Sequence, residues 1–191
     1  NGYGQGYGYG MAPRRPRQNS LGMTFGIRKL DYAIEGNEQL PGGGVTYTHR
    51  FAGSRVALDL AMAANGFTEE IGPNDHNFTA LETSIGFRYM DVLSRPTQNS
   101  RPINHSLYIG AGALSLHIMD VVEDSFTSTV LFEDYASATG SYMSVGIHFN
   151  DGRLFSGDIE LRRVEGTDYS TFGVPKSSDG VEALFRASIS F

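Results

Sequence analysis

The stretch GVEALFRASISF, residues 180–191, alternates apolar and polar side chains up to the last residue of the chain. Its odd-numbered positions, from Val181 to Phe191, are all apolar, whereas its even-numbered positions are mostly polar, with Leu184 as the exception. A period of two is typical of a β-strand that has one apolar and one polar face. A strand of a soluble sandwich also alternates, but it has no reason to end the chain on an aromatic residue of the apolar face.

Seven further segments alternate in the same way, and most of the eight are 8 to 14 residues long. That length is close to the roughly 9–11 residues of a tilted transmembrane strand. An even number of strands allows a sheet to close with both chain ends on one side, and in lipid it must close, because an open edge leaves backbone groups unpaired. The sequence therefore predicts an all-β fold, an eight-stranded antiparallel up-and-down transmembrane β-barrel over residues 22–191. The predicted strands are 22–34, 44–51, 55–66, 78–90, 106–119, 140–149, 154–164 and 180–191.

The terminal stretch resembles the closing strand of bacterial outer-membrane β-barrels, which typically end in Phe with apolar residues at every second position before it. In strand count and layout, residues 22–191 are similar to the small barrels of the OmpA and OmpX type. The resemblance implies a protein of the bacterial outer membrane with a polar interior, surrounded by lipid and lipopolysaccharide. It also implies that an export signal has been removed before Asn1.

Composition excludes several classes of function. The chain has 191 residues, enough for one domain, and it contains no cysteine, so neither a disulfide framework nor thiol chemistry is expected. Its net charge of −6 does not favour a nucleic-acid partner. No cofactor and no metal site are predicted.

The inward-facing positions of the predicted barrel collect charges of both signs. Opposite charges in a narrow lumen should pair, because an unpaired buried charge is costly. We interpret the set as a salt-bridged plug, with a small gated path for ions or solutes as the alternative. Its members are Arg50, Asp59, Glu82, Arg88, Asp158, Glu160, Arg162, Glu182 and Arg186. Arg28 joins them if a bulge near Arg28–Lys29 reconciles the two phases of the first strand.

Residues 1–21 form a separate region, in which Gly and Tyr alternate before three arginines that lie among prolines. Such a composition cannot bury a core, so one interpretation is a solvated periplasmic tail. The other is a docking arm for a protein partner, since Tyr and Arg are favoured at contact surfaces. The residues that would make the contacts are Tyr3, Tyr7, Tyr9, Arg14, Arg15 and Arg17.

Connections alternate between short turns and longer polar loops. In outer-membrane barrels the long loops face outside, which predicts periplasmic termini and extracellular acidic loops. These loops hold thirteen acids, which either keep the protein soluble or bind divalent cations beside lipopolysaccharide. The acids are Glu35, Glu38, Glu69, Glu70, Asp75, Asp120, Glu123, Asp124, Glu133, Asp134, Glu165, Asp168 and Asp179.

Aromatic residues cluster at both ends of the predicted strands, as the two membrane–water interfaces favour. One predicted belt contains Phe25, Phe51, Tyr89, Tyr108, Phe149, Phe155 and Phe191. The other contains Tyr32, Tyr47, Phe67, Phe78 and Tyr142, of which Tyr142 points inward by parity.

Enzymatic activity is not favoured. Outer-membrane lipid-modifying enzymes use a His with a Ser and an acid. Here Ser115 and His117 are two residues apart, but with the Ser before the His, the reverse of the order in outer-membrane deacylases, and the strand alternation places both in the lumen.

Gly110 and Gly112 are predicted to lie on the lipid face. They either make room for bulky neighbouring side chains or form a smooth patch against which another protein packs. The sequence favours a structural or protein-interaction role, with a small channel as the alternative and a lipid-modifying enzyme less favoured.

Overall fold

A computed structural model describes residues 18–34, 37–92, 104–150 and 154–191. These residues form ten strands: β1 Asn19–Ile34, β2 Asn37–Arg50, β3 Val56–Ile71, β4 Asn74–Val92, β5 Asn104–Asp124, β6 Val130–Asn150, β7 Phe155–Glu165, β8 Asp168–Thr171, β9 Val174–Ser177 and β10 Gly180–Ser190. None of the described residues belongs to a helix that is long and apolar enough to cross a membrane.

Eight of these strands form one closed antiparallel barrel, in which β1 to β7 pair in chain order and β10 joins β7 to β1. The closing pair is registered from Ser20↔Ser190 to Leu30↔Gly180. The remaining strands, β8 and β9, form a separate hairpin between β7 and β10. The prediction of an eight-stranded antiparallel barrel is thereby confirmed, and the terminal stretch is its closing strand.

The outer surface of the barrel carries a band of large apolar side chains. Phe185, for example, is 54% exposed although it lies in the middle of β10. Exposing such a continuous apolar band to water is unfavourable. The band therefore identifies the segments that span the membrane. Other members of the band are Leu21, Phe25, Met62, Ile85, Phe87, Ile109, Met143, Val145, Ile159 and Leu161.

Strands β3 to β6 extend beyond this band at one end, which we call the loop end. The opposite end, where β1 begins, β10 ends and residues 51–55 form a turn, is the turn end. Strands β5 and β6 contain 21 residues each, where the sequence predicted 106–119 and 140–149. The long acidic loops expected there are therefore partly strand, since Glu69, Asp120 and Glu133 belong to β3, β5 and β6.

The interior at the loop end is apolar, which inverts the polarity found at the level of the band. A buried cluster fills it, consisting of Leu30, Ile34, Leu40, Phe78, Ala80, Leu114, Leu116, Ile118, Ala138, Tyr142, Val164 and Tyr169. Beyond the lipid the outer face is in water, so the apolar side chains turn inward.

Because of this inversion, no bulge is needed near Arg28–Lys29, and the prediction of one there is wrong. Arg28 and Leu30 both face inward, and β1 stays in register with β10 through Leu30. Leu30 and Ile34 appear out of phase with the apolar band only because they belong to the interior cluster. The irregularity of β1 lies later, between Lys29 and Ile34 in its pairing with β2.

The two predicted aromatic belts are only partly confirmed. Phe25, Tyr89 and Phe155 are exposed on the outer surface. Tyr108 and Phe78 are wrongly placed in the belts, because each is 1% exposed and faces the interior. Tyr47 was expected at the loop end but lies three residues from the end of β2, near the turn at residues 51–55.

Candidate functional site: the charged lumen

The charged residues predicted to face the lumen lie on five strands at the level of the apolar band. Eight of the nine are buried, and Arg50, near the turn end, is partly exposed. Arg28 is buried among them, although the bulge on which its prediction depended is absent. We call these ten residues the lumen network.

The part of the network nearest the turn end is centred on Arg88. Its guanidinium contacts the Asp59 carboxylate, and its Nη1 donates to Asp158 Oδ1 at 2.9 Å. His148 Nδ1 lies 2.9 Å from the same Asp158 oxygen, and its Nε2 contacts Arg50. Thr48 Oγ1 donates to Asp59 at 2.5 Å. Each carboxylate therefore has at least two polar neighbours, as a buried charge requires.

The part nearest the loop end is centred on Glu82, which lies between two arginines from other strands. Arg28 contacts one of its oxygens, and Arg162 Nη1 donates to the other at 3.2 Å. Glu182 is 3.5 Å from Arg28 and 3.6 Å from Arg162. The arginines thus bridge carboxylates of different strands across the lumen.

Arg186 connects the two parts. Its Nη2 is 3.0 Å from Glu160 Oε2, and its Nη1 is 3.8 Å from Asp59 Oδ2. Glu160 also accepts a hydrogen bond from Tyr108 Oη at 2.7 Å. The network contains five guanidiniums and five carboxylates, so its formal charges cancel.

Two inward-facing tyrosines cover the network and lie against glycines. Arg88 lies 4.6 Å from the Tyr108 ring centroid, and Arg162 lies 4.1 Å from that of Tyr142, both within the range of cation–π contacts. The Tyr142 ring occupies the space that a side chain at Gly112 would need. Gly112 therefore faces the interior.

Gly110 also faces inward, because a Cβ there would meet the Ser144 hydroxyl at 2.6 Å. The prediction that Gly110 and Gly112 lie on the lipid face is wrong, and so is the smooth outer patch built on it. Both residues lie opposite interior side chains that leave no room for a Cβ.

Little free space remains in the network. A cavity beside Glu82, Arg162 and Arg186 has a volume of about 10 Å³, roughly the space of one water molecule. Above it, the apolar cluster of the loop end packs across the interior. Among the described residues, this part of the lumen therefore holds no wide aqueous path.

The β8–β9 hairpin covers the apolar cluster at the loop end, where Tyr169 contributes to it. Asp120, beyond the apolar band, fastens the hairpin: Thr171 Oγ1 donates to it at 2.7 Å and Lys176 Nζ at 3.1 Å, while His76 contacts its other oxygen. Desolvation alone would raise the pKa of Asp120, but the hydrogen bonds from Thr171, His76 and Lys176 outweigh it and lower the pKa.

Ser115 and His117 do not point into the lumen, as parity had suggested. They share the outer face of β5 with Ile109 and Met119, while Leu114 and Leu116 face inward. Among the described residues, no hydrogen bond joins His117 to Ser115 or to a carboxylate. The pair thus lacks the third member that a catalytic triad requires.

The predicted contact residues of the tail lie outside the described residues. They are Tyr3, Tyr7, Tyr9, Arg14, Arg15 and Arg17.

The sequence analysis missed two members of the charged interior, Tyr108 and His148. The alternation of each strand could have identified them, because both residues lie at inward-facing positions among small residues. His148, for example, shares the inner face of β6 with Ser144 and Gly146.

No protein-family model matches the sequence, and no curated protein does. Solved structures of similar fold do exist. Neisserial surface protein A is 10% identical, with a TM-score of 0.57, over 91% of this chain and 96% of that one. Ail, the attachment invasion locus protein of Yersinia pestis, is 16% identical, with a TM-score of 0.50, over 91% and 95%; it was also solved with the heparin analogue sucrose octasulfate. Identities this low show the fold alone.

Proposed function

We propose that this chain, which has the fold of the small eight-stranded outer-membrane β-barrels, resides in a bacterial outer membrane as a closed, non-conducting barrel with a structural or protein-interaction role. Its lipid partners are then the membrane lipids and lipopolysaccharide along the apolar band. The lumen network serves as a plug that holds the strands together. Catalysis is not part of the proposal, because the Ser115–His117 pair lacks a bonded acid.

The observation that carries the proposal is the cancellation of charge inside a tightly filled lumen. Four guanidiniums and five carboxylates are paired, mostly across strands, and the fifth guanidinium, that of Arg50, contacts His148. The cavity among them holds about 10 Å³. Ion conduction needs sites that are weakly occupied and exchangeable. Mutually paired side chains fill these positions themselves, so they oppose the passage of ions.

Planar-bilayer recording tests the plug. The purified, refolded barrel is expected to show no steady conductance in symmetrical salt, because the buried lumen charges are already paired within the protein. Arg88→Ala is the matched variant, since it opens space and removes the guanidinium nearest to Asp59 and Asp158.

A channel is the second candidate, favoured by the polar character of the lumen at membrane level. Steady, ion-selective conductance of the unmodified protein that changes in Arg88→Ala or Glu82→Ala would establish it and refute the plug. Turnover of lipid A by the pure protein would instead establish an enzyme.

We also propose the orientation implied by the resemblance, with periplasmic chain ends and the loop end outside. Because the chain has no cysteine, single cysteines report it directly. Phe126→Cys, at a loop-end position that is 88% exposed, is expected to react with a membrane-impermeant maleimide on intact cells. Ala52→Cys, in the turn at the other end, is expected to react only after the outer membrane is permeabilised. The reverse pattern would contradict the proposed orientation.

The tail remains a proposed docking arm. Composition supports it, since tyrosine and arginine are enriched at contact surfaces. Deleting residues 1–17 is expected to leave a barrel that still folds and shows heat-modifiable migration in a detergent gel, while proteins that co-purify with the full chain are lost. Retention of every partner by the shortened chain would reduce the tail to a solvated segment.

A further inference from the structure

An apolar groove lies over strand β5 on the outer surface, within the apolar band. Its floor is Ala111, which is registered with Phe87 on β4 and with Met143 on β6. Both of these larger side chains are exposed, and they line the groove on either side of the alanine methyl group. The groove has a volume of about 430 Å³, within the roughly 300–1,000 Å³ of sites that bind small molecules. It therefore has room for part of an acyl chain.

A pair of opposite charges lies where the groove approaches the turn end. Tyr89 and Val56 line the groove there, and Arg55 directly precedes Val56 in the chain. The Arg55 guanidinium donates from Nη1 to the Tyr89 hydroxyl at 3.3 Å and to Asp91 Oδ1 at 3.2 Å. Both charged side chains are exposed, so a ligand can reach them from outside the barrel. We call Arg55 and Asp91 the turn-end pair.

We propose that the groove and the turn-end pair bind one phospholipid of the phosphatidylethanolamine class, whose headgroup carries a phosphate and a primary ammonium. The acyl chain lies over Ala111, between the side chains of Phe87 and Met143. The phosphate accepts hydrogen bonds from the Arg55 guanidinium, and the ammonium donates to the Asp91 carboxylate. This inference rests on the proposed function, since it needs the apolar band to lie in a bilayer, and it names the lipid that this part of the outer surface selects.

The charges of the turn-end pair favour this headgroup over two other common ones. The pair is neutral as a whole, so a headgroup with one charge of each sign complements it. The anionic headgroup of phosphatidylglycerol offers no cation to Asp91. Phosphatidylcholine carries a quaternary ammonium without an N–H group, so it cannot donate a hydrogen bond to the carboxylate, whereas a primary ammonium has three donors.

The position of the pair favours a phospholipid over lipopolysaccharide. In the proposed orientation the turn end faces the periplasm, so Arg55 and Asp91 lie at the inner leaflet, where phospholipids are found. Tyrosine rings are favoured at the boundary between acyl chains and headgroups, which is where the proposal places Tyr89. The loop end, by contrast, meets the lipopolysaccharide of the outer leaflet.

Fluorescence quenching tests the site, because the chain contains no tryptophan and a single introduced one reports on its own surroundings. Met143→Trp places the reporter in the wall of the groove. The refolded full chain is reconstituted in phosphatidylcholine vesicles that contain increasing fractions of a lipid with brominated acyl chains. We expect brominated phosphatidylethanolamine to reach half-maximal quenching at about a third of the fraction that brominated phosphatidylcholine or phosphatidylglycerol requires, a preference of the size found for exposed ion pairs.

Phe185→Trp is the matched control for the reporter. Phe185 is an exposed residue of the apolar band, but it lies in the middle of β10 and does not line the groove. We expect the three brominated lipids to quench a tryptophan at this position equally, because only nonselective lipid contacts it.

Removal of one charge provides the second arm. Asp91→Asn, combined with Met143→Trp, leaves the Arg55 charge without its carboxylate. The preference for phosphatidylethanolamine is expected to disappear, and phosphatidylglycerol should become the best quencher by about threefold. Asp31→Asn is the control, because Asp31 pairs with Arg163 at 2.8 Å on the outer surface of β1 and β7, away from the groove. It should change the preference less than about 1.5-fold.

Equal quenching of Met143→Trp by the three lipids, or the same preference at Phe185→Trp, would overturn the site. A preference for phosphatidylglycerol while Asp91 is intact would identify an anionic lipid as the occupant and overturn the proposed headgroup, and so would a preference for phosphatidylethanolamine that survives Asp91→Asn. Heat-modifiable migration verifies that each variant is folded. The comparison of the two reporters leaves the turn-end pair unchanged, so it decides the matter even if Asp91→Asn does not fold.

These measurements use neither the lumen nor the introduced cysteines. Failure of the lipid site therefore leaves the conductance and orientation experiments to judge the proposed function separately.

Discussion

Gly112→Ala is expected to destabilise the folded barrel by about 2 to 4 kcal/mol, although a single methyl group is added. A Cβ at this position would lie 2.3 Å from the carbonyl oxygen of Ile85 and 2.7 Å from the Cα atom of Gly86. Both are backbone atoms of β4, and the Tyr142 ring lies 2.7 Å away on the other side. Backbone cannot rotate out of the way as a side chain can, so β4 and β5 must separate locally.

Closure of the barrel makes this separation costly. In an open sheet one strand could shift outward, but here each strand is paired on both sides around the ring. The measurement is urea unfolding in detergent micelles, followed by circular dichroism and by heat-modifiable gel migration.

Gly157→Ala is the matched control, because its Cβ would have only the Arg186 carbonyl oxygen nearby, at 3.2 Å. Alanine usually stabilises a strand relative to glycine by reducing the entropy of the unfolded chain. We therefore expect a small change of either sign in this variant. If both variants unfold at the same urea concentration, the close approach at Gly112 has no energetic significance.

Glu82→Ala is expected to destabilise the barrel by about 3 to 5 kcal/mol, the range found when one partner of a buried ion pair is removed. Glu82 contacts Arg28 and also accepts from Arg162, and all three side chains are buried. Its loss leaves an excess positive charge in the lumen. The same urea titration measures the effect.

Removing Arg28 at the same time should recover much of the loss. The double variant Arg28→Leu, Glu82→Leu restores the balance of charges and fills the space with apolar side chains, which is often neutral or stabilising. We expect it to be more stable than Glu82→Ala, so that the two positions show a clear coupling energy.

Asp91→Ala serves as the surface control. Asp91 pairs with Arg55 at 3.2 Å, but both side chains are about 60% exposed, so a small effect is expected. If Glu82→Ala were no more harmful than Asp91→Ala, water would screen the lumen as well as it screens the surface. The plug would then lose its support, and the channel would become the better explanation of the polar interior.

The strand pattern and the charged interior could be predicted from the sequence. Where lipid surrounds the barrel, each outward residue must be apolar and the inward residues are free to be polar, so a period of two is visible in segments such as 180–191. The same parity predicted the inward positions of Glu82, Arg88 and Arg162. It carried no information on their partners.

Which lumen side chains pair with each other depends on the stagger between strands. The sequence of a single strand contains no information about that stagger. Glu82 of β4 meets Arg28 of β1 and Arg162 of β7, strands that are not its neighbours in the sheet. Only the closed barrel brings these side chains together. The identity of the pairs, and with it the role of Arg186 in connecting Asp59 with Glu160, was therefore decided by the tertiary structure.

The face of each residue beyond the membrane was also decided by the tertiary structure. Polarity identifies the lipid-facing side only while lipid is present. Past the apolar band the outer face is in water, and Leu30, Phe78 and Leu116 turn inward as they would in a soluble protein. The assumption that apolar residues always face outward therefore led to two wrong predictions, a bulge at Arg28–Lys29 and the placement of Phe78 in an aromatic belt. The alternation of the strands is local and lies in the sequence, whereas the height at which lipid gives way to water is a property of the assembled barrel.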